Sequence, residues 1–572
     1  MKVEELKGKL EIAQTTSNPT TNIALDTVKI GKQALIFVGT RQSAEKAAEE
    51  IAHHLKLNNE TQVEHTASAA ADAYRPEVDS STGPSRPLAT RELSGAADEA
   101  LHALSRPTKQ CERLARCIKG GTAFHHSGLT SKQRQLIEEN FRKGTIKIIC
   151  STPTLAMGVD LPAYRAVIRD LKRFSERSHY GYGGSNWIPV LEYLQMCGRA
   201  GRPSFDSEGQ AIILADTESL DEEVTERYIQ GEPEPIYSKL AVEPVLRTYL
   251  LSLIATRLVG SKREVMQFFS KTFWAHQFKE FRQLEKTIGK MLLLLEEWEF
   301  VRSSDKDSTG FASAAAIKDE TVKPTLVGER VAQLYIDPLT AHEIMVGLRK
   351  YPAEAADYSK AYSKPLPMLH LISSTLEMRP LLRVKVRELE EVQNALAVHS
   401  GGLLVSEPSM FEEEYDDFLA SVKTSMFFQE WIEEKDEEYL LEKYGIRPGE
   451  VYSKLDNADW LLYSASELAK LMRLQQILRH ITKLRFRVQY GVKEELLPLL
   501  QLRGIGRIRA RKLFDSRVKN LADVKNADIS TLTKILGSGK LAVDIKQQLG
   551  ENVEVVKEGK RKGQINLNDY GE

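Results

Sequence analysis

Apolar runs too short for helices recur between helix-like stretches through residues 18–217, and this alternation is the tightest constraint the chain places on its own fold. Q-A-L-I-F-V (33–38) has the length and flanks of a buried strand. An Ala/Glu-rich helical stretch follows, which either Thr40 or Ser43 can cap. T-A-F-H-H-S-G-L (122–129) reads as a short strand running into a polar loop. I-K-I-I-C-S-T (146–152) reads as a second apolar strand turning at Pro153, and Q-A-I-I-L-A (210–215) as the closing one. Helices are expected near 88–105, 108–119 and 130–143, with a flexible Ala/Ser/Pro-rich insertion at 66–87. Strands alternating with helices specify an α/β unit with a mostly parallel sheet. Ligands of such sheets sit at the carboxyl ends of the strands. The polar clusters Thr40-Arg41, His125-His126, Ser151-Thr152 and Gly158–Asp160 fall at those ends.

The 572 residues leave room for further domains. With 79 Lys+Arg against 80 Asp+Glu, the formal net charge of −1 excludes a uniformly basic binder, so any nucleic-acid surface must come from local charge asymmetry. A hydrophobic content of 42% and a charged content of 28% fit a soluble globular chain. No apolar run approaches the ~20 residues of a membrane span, and the N-terminus lacks a signal-peptide core. Cys111, Cys117, Cys150 and Cys197 have no C-x-x-C spacing, so neither a disulfide framework nor a zinc site is expected.

Q-M-C-G-R-A-G-R-P (195–203) interleaves Arg199 and Arg202 with Gly198 and Gly201. Small residues let the backbone approach another body while guanidinium forks project toward it. An arginine against a transferring phosphoryl group is worth roughly 10³–10⁵ in rate. On composition alone, a Gly/Arg turn making surface ion pairs is equally open. In chain order, F-V-G-T-R (37–41), H-H-S-G-L (125–129), T-P-T-L-A-M-G-V-D-L-P (152–162) and Q-M-C-G-R-A-G-R (195–202) resemble motifs of superfamily-2 helicases. These are the fourth motif, the H-H-x-G-L loop of the Ski-like branch, the fifth motif and the sixth. The resemblance implies a second RecA-like motor domain in which Arg199 and Arg202 are arginine fingers and Gln195 couples them to the nucleotide. It implies that Gly158 and Asp160 approach ATP, and that Arg41, Thr152, His126 and Gly128 lie on a single-stranded DNA track. Residues 170–190 read as a hairpin with a tip at Gly181, Gly183 and Gly184. A hairpin in this place wedges the duplex apart in the family, which implies a DNA contact for Tyr182; an inert surface hairpin is the alternative.

Residues 235–301 are helical by pattern, and P-I-Y-S-K-L-A-V-E-P-V-L-R resembles the winged-helix domain of the same branch, a brace. Residues 321–490 read as almost entirely helical. Their segments L-G-E-R-V-A-Q-L-Y-I-D-P, M-L-H-L-I-S-S-T-L-E-M-R-P and Y-S-K-L-D-N-A-D-W-L-L-Y-S resemble the ratchet domain of archaeal DNA repair helicases of the 308 type. Trp460 occupies a position that family uses for base stacking, worth roughly 1–3 kcal/mol; a core tryptophan is the alternative. A family arginine falls on Ser453, with Lys454 adjacent. The acidic stretch 411–440 reads as a solvated helix face that repels DNA. Residues 501–520 carry seven basic residues and one acidic. Gly504 and Gly506 open one helix, and Gly537 and Gly539 another. Free N–H groups at helix starts bind phosphate. The pair resembles a double helix-hairpin-helix that grips the DNA backbone, with Arg507, Arg509 and Lys540 making binding salt-dependent; a plain helical cap is the alternative.

The expected architecture is therefore multidomain. An α/β RecA-like motor domain on a parallel sheet (18–217) is followed by mostly α-helical winged-helix (218–320), helical-bundle ratchet (321–490) and helix-hairpin-helix (491–560) domains and a disordered tail (561–572). The resemblance implies the C-terminal part of an ATP-dependent 3′-to-5′ helicase for forked DNA in repair or replication restart. It further implies ATP and Mg²⁺ as cofactors, single-stranded and forked DNA and replication or repair proteins as partners, no membrane, and a cytoplasmic, nucleoid-associated location. The sequence holds no G-x-x-x-x-G-K-[ST] and no D-E-x-H; G-S-G-K-L (537–541) has Leu541 where Ser or Thr is required. The phosphate loop and the Mg²⁺ ligands would then belong to a first RecA-like domain on a separate polypeptide or lost gene segment, and the isolated chain is expected to be inactive. A non-catalytic binder of single-stranded or forked DNA and an RNA helicase relative are the alternatives.

Overall fold

A computed structural model describes residues 11–71, 88–104, 106–175, 184–201, 208–215, 217–278, 281–303, 321–350 and 364–551. Arg202, Tyr182, Gly181 and Gly183 of the hairpin tip, most of the 66–87 insertion and the 561–572 tail lie outside the described residues. The chain divides into two compact units, Met1–Ile236 with Glu437–Ser453, and Tyr237–Asp436 with Lys454–Glu572.

The first unit runs α1 (Pro19–Lys29), β1 (Ala34–Phe37), α2 (Arg41–Ala71), α3 (Leu88–Leu101), α4 (Lys109–Lys119), β2 (Thr122–His125), α5 (Ser131–Arg142) and β3 (Ile148–Ser151). It continues through β4 (Arg165–Ile168), β5 (Lys172–Ser175), β6 (Gly184–Trp187), α6 (Val190–Cys197), β7 (Gln210–Ile213) and α7 (Glu218–Val224). β1, β2, β3, β4 and β7 form one parallel sheet in the order β2-β3-β1-β4-β7, with Leu35 opposite Ile149 on one side and Ala166 on the other. β1 to β4 are buried along their whole length, as a parallel sheet covered on both faces requires. Thr40 accepts the Ser43 N–H at 3.1 Å and so caps α2, while Thr130 and Gln133 form a reciprocal capping box on α5.

β1, β2, β3 and β7 fall where the sequence puts them; α1 and β4 do not announce themselves. The apolar pattern of R-A-V-I is broken by Arg165, whose side chain is only 2% exposed. Its guanidinium is held by Asp26 of α1 at 2.6 Å and by Gln210 of β7 at 2.8 Å, so one buried cation ties an unread helix to an unread strand. The hairpin arms are present, β5 pairing antiparallel with β6 from Lys172↔Trp187 to Ser175↔Gly184.

The second unit begins with α8 (Glu243–Ala255), α9 (Lys262–Phe269), α10 (Phe273–Phe278) and α11 (Phe281–Glu297), then an antiparallel pair β8 (Val301–Ser303) and β9 (Val322–Pro324). Helices follow: α12 (Leu326–Leu334), α13 (Pro338–Lys350), α14 (Leu366–Ser373), α15 (Leu389–His399) and α16 (Glu414–Ile432). α17 (Glu437–Tyr444) and the first turn of α18 (Pro448–Leu471) group with the first unit, and the rest of α18 with the second. α19 (Gln475–Tyr490), α20 (Arg507–Asp515), α21 (Leu521–Asn526), α22 (Ile529–Leu536) and α23 (Gly539–Gln548) complete the chain. Among the described residues, no helix is long and apolar enough to cross a membrane.

The acidic stretch 411–440 is not the solvated face its composition suggests. α16 buries Phe418, Leu419, Val422, Phe427, Phe428 and Trp431. Its carboxylates gather at the ends. Glu414, Asp416 and Asp417 occupy the first turn, where the helix dipole favours anions. Glu433 and Glu434 lie just past the last turn and pair with Arg487 and Arg511.

The second unit also holds a buried bidentate pair, Arg247 of α8 donating to Asp337 at 2.6 and 2.9 Å. Asp337→Asn removes the counter-charge at nearly constant volume and strands a buried guanidinium. Urea unfolding of this variant is expected to register a loss of about 3–5 kcal/mol.

Candidate functional site

Past the carboxyl end of β3 the chain makes a 3₁₀ turn at Pro153–Ala156 and emerges at an exposed Met157. Gly158 then adopts φ +79°, a left-handed conformation costly for any residue with a Cβ, and Asp160 lies exposed beyond it. Arg199 follows α6. Its Nε donates to the Ala156 carbonyl at 3.1 Å, Nη2 to the same oxygen, and Nη1 to the Val159 carbonyl at 2.6 Å. The backbone adds Ala163 N–H to Arg199 O at 2.9 Å and Gly201 N–H to Ala163 O at 2.8 Å. The structure thus brings Arg199 onto the turn that holds Gly158. It does so with the Arg199 guanidinium turned onto two carbonyls that bracket Gly158, not projecting freely as a finger would. Gln195 is exposed on α6.

At the carboxyl ends of β1, β2 and β3 the predicted track residues separate into two kinds. Thr152 is half-buried, its N–H on His125 O at 3.3 Å and its hydroxyl 3.0 Å from that of Thr154. Arg41 pairs with Glu450. His126 is fully buried, stacked on Phe124 with ring centroids 5.5 Å apart. The Gly128 N–H donates to His126 Nδ1 at 3.1 Å, so Nδ1 carries no proton. Nε2 then holds the ring proton and donates it to Glu45 at 3.2 Å. Gly128 is buried as well and accepts the Gly449 N–H at 3.0 Å. The expectation that His126 and Gly128 face a DNA strand is therefore corrected: both are interior, and Ser127 is the exposed residue of this loop.

Glu45, Arg113, Arg447 and Glu450 escaped the sequence reading. Glu45 accepts from His126, from Arg113 and from Arg447 Nε at 3.2 Å, and Arg113 also grips Glu49 at 2.6 and 3.0 Å. The available signal was positional, since Glu45 sits in a helical stripe with the buried Ala44, Ala48 and Ile51. Burial pushes the Glu45 carboxyl up, but the His126 hydrogen bond and the Arg447 and Arg113 charges together outweigh it and hold it at about 2. Burial holds the His126 imidazole below its ordinary 6.5 against the pull of Glu45.

In the second unit, Trp460 is half-buried and donates its indole N–H to Leu334 O at 2.9 Å. Ser453 is exposed; Lys454 is buried, with Nζ on Pro380 O at 2.7 Å and Met378 O at 3.2 Å. Gly504 (φ +84°) and Gly537 (φ +71°) are both left-handed. Gly506 is the N-cap of α20, and Gly539 is the first residue of α23, behind the cap Ser538. A Cβ on Gly504 would fall 2.8 Å from Leu541, so the two Gly-x-Gly turns lean on each other. Arg507 lies over Trp431 at 4.6 Å and donates to Lys435 O, whereas Arg509 and Lys540 are exposed.

A parallel sheet bearing these ordered motifs, with the fifth and sixth bonded through Arg199, is the C-terminal domain of a helicase. The helicase conserved C-terminal domain family matches residues 97–204, a helix-turn-helix domain family residues 213–302, and the archaeal helicase domain 4 family residues 366–491. The chain belongs to the Hel308 family of archaeal ATP-dependent DNA helicases. It is 38% identical to ATP-dependent DNA helicase Hel308 of Methanococcus vannielii over 78% of this chain and 60% of the relative. It is 36% identical to that of Pyrococcus horikoshii and 35% identical to that of Pyrococcus abyssi, in each case over 96% of this chain and 68% of the relative. The chain thus spans about two thirds of the length of these relatives.

The two shifts act in the same sense. On acidification the unfolded chain protonates His126 near 6.5 and Glu45 near 4.5, while the folded chain resists each until lower pH. The unfolded state then binds more protons, so stability falls with pH from 6.5 downward. Urea unfolding at pH 7 and pH 5 is expected to expose this loss, and His126→Gln to flatten it. The charged groups facing the imidazole are Glu45, Arg447 and Arg41.

Proposed function

We propose that this chain is the strand-handling and arginine-bearing part of an ATP-dependent 3′-to-5′ DNA helicase that acts on single-stranded and forked DNA. The observation that carries the reading is Arg199 of the sixth motif donating to the Ala156 and Val159 carbonyls that bracket Gly158 in the fifth, on a chain that aligns with Hel308 relatives over nearly all of its own length. ATP would lie against Gly158, Asp160 and Gln195. The left-handed Gly158, having no Cβ, leaves room there for close approach of a ligand. Arg202 would stabilise charge on the transferring phosphoryl group, and Arg199 would fix the turn beside it. The phosphate loop and the Mg²⁺ ligands would come from a first motor domain. Among the described residues, no His/Cys/Asp/Glu group is arranged to hold a metal ion.

On the strand side, Arg41 and Thr152 would meet phosphates and the half-buried Trp460 would stack on a base. The β5–β6 hairpin with Tyr182 would part the duplex. The helix starts at Gly504, Gly506, Gly537 and Gly539 would grip the backbone, with Arg507, Arg509 and Lys540 supplying charge. Replication or repair proteins and a nucleoid location in the cytoplasm complete the reading. A purely non-catalytic DNA binder is the second reading, favoured by the inward turn of Arg199.

ATP hydrolysis with single-stranded DNA tests the assignment. The chain alone is expected to give no turnover above background. Adding the phosphate-loop domain of a relative is expected to produce DNA-stimulated turnover, which Arg202→Ala lowers by roughly 10³-fold or more. Turnover by the chain alone that survives Arg202→Ala would overturn the domain reading. Arg509→Ala and Lys540→Ala are each expected to weaken DNA binding equally across sequences and to reduce the salt slope by about one. Equal affinity for RNA would count against a DNA substrate.

A further inference from the structure

The H-H-S-G-L loop has no exposed role for its second histidine or its glycine, yet it is built to close tolerances. A Cβ on Gly449 would lie 2.2 Å from Leu129 O and 2.4 Å from Ser127 O, and one on Gly128 would lie 2.3 Å from Arg447 Cδ. Two glycines therefore meet backbone to backbone, joined by Gly449 N–H on Gly128 O at 3.0 Å. That donor lies in the first turn of α18, where an N–H has no acceptor within its own helix. The loop supplies the missing acceptor.

Charge fixes what shape begins. Arg447 reaches Glu45, its own N–H donates to Glu450 at 3.1 Å, and Glu450 in turn holds Arg41. Lys109 of α4 binds Glu442 at 2.7 Å and Glu438 through its N–H at 3.1 Å, so α17 is held as well. Tyr452 donates to Glu437 at 3.1 Å and ties α17 to α18. Sliding this segment away would leave Glu45, with 3% of its side chain exposed, a buried carboxylate short of a counter-charge.

We propose that the H-H-S-G-L loop is the socket of a mechanical joint that clamps α17 and the first turn of α18 onto the motor sheet, so that the helix bearing Trp460 is driven by the motor domain. Each of the sheet's first three strands, at its carboxyl end, feeds the clamp or its neighbour: β1 through Arg41, β2 through His126 and Gly128, and β3 through Thr152 on His125 O. Glu45 is a positioning residue in this joint, acting through His126 and Arg447. The proposal rests on the strand-handling reading for its purpose and on the geometry alone for its existence.

Hydrogen exchange on the full chain tests it, with and without oligo-dT. Without DNA, peptides covering 445–450 and 125–129 are expected to be protected in the wild type and to exchange at least tenfold faster in Gly449→Ala. Alanine is the better helix former, so helix propensity alone would shift exchange the other way. Unchanged exchange at 125–129 in that variant overturns the joint. With oligo-dT, the wild type is expected to change at 122–130 as well as along α18. Gly449→Ala keeps the change on α18 and the DNA affinity within about twofold but loses the response at 122–130; an equal response in both chains overturns the coupling. If Gly449→Ala does not fold, Glu45→Gln, which keeps the shape, takes its place with the same expected losses. If the wild type does not bind oligo-dT, the strand-handling reading fails and the joint is judged on the DNA-free result.

Discussion

A carboxylate can be buried only where it is surrounded by partners that cannot leave, and Glu45 is the point on which the first unit's functional end is organised. Its two oxygens draw in a neutral histidine from β2's exit loop, an arginine from α4 and an arginine from the turn before α18. Each donor comes from a different element, so the carboxylate sets the spacing of three elements at once. The cost of desolvating it is offset only while all three remain, which makes the arrangement cooperative. The histidine's neutrality belongs to the same economy of charge. A protonated His126 would lose the Gly128 N–H, and with it the orientation of the loop that receives Gly449.

The same logic, inverted, describes Arg199. A guanidinium offers donors in a planar fork, and here three of its hydrogen bonds go to carbonyls on either side of a left-handed glycine. Carbonyl oxygens at a turn have no helix or strand partner of their own, so an arginine is the natural way to satisfy them. The fifth and sixth motifs are thereby joined through side chain and backbone alike. Arg199 so placed holds the backbone of the turn.

What the sequence could disclose follows from range. β1, β2, β3 and β7 were legible because an apolar run with turn residues at its ends is a local signal. β4 was not, because Arg165 interrupts its run and is acceptable only with Asp26 some 139 residues earlier. His126 and Gly128 were legible as special but were given the wrong surroundings. Their partners lie at Glu45 and at Arg447 and Gly449, and Glu45 and Arg447 are 402 residues apart. No periodicity or spacing reports such a separation. Trp460 falls between its two readings, since its indole N–H is bonded to Leu334 O as in a core residue while the residue is only half-buried.

Charge count was the least informative quantity and its arrangement among the most. Glu433 and Glu434, part of the acidic run, neutralise Arg487 and Arg511 within the second unit. Arg507 is drawn onto Trp431 and the Lys435 carbonyl. These pairings remove from the solvent-facing surface part of the basic C-terminal block that composition alone counts as free. Arg503, Arg509, Lys512, Arg517, Lys519 and Lys540 remain exposed around the two Gly-x-Gly helix starts. A phosphate backbone reads local potential within about a Debye length, near 8–10 Å at ordinary ionic strength. A near-neutral chain with its carboxylates paired inward can therefore present a basic face, and the inward pairing makes that face specific to one end of the fold.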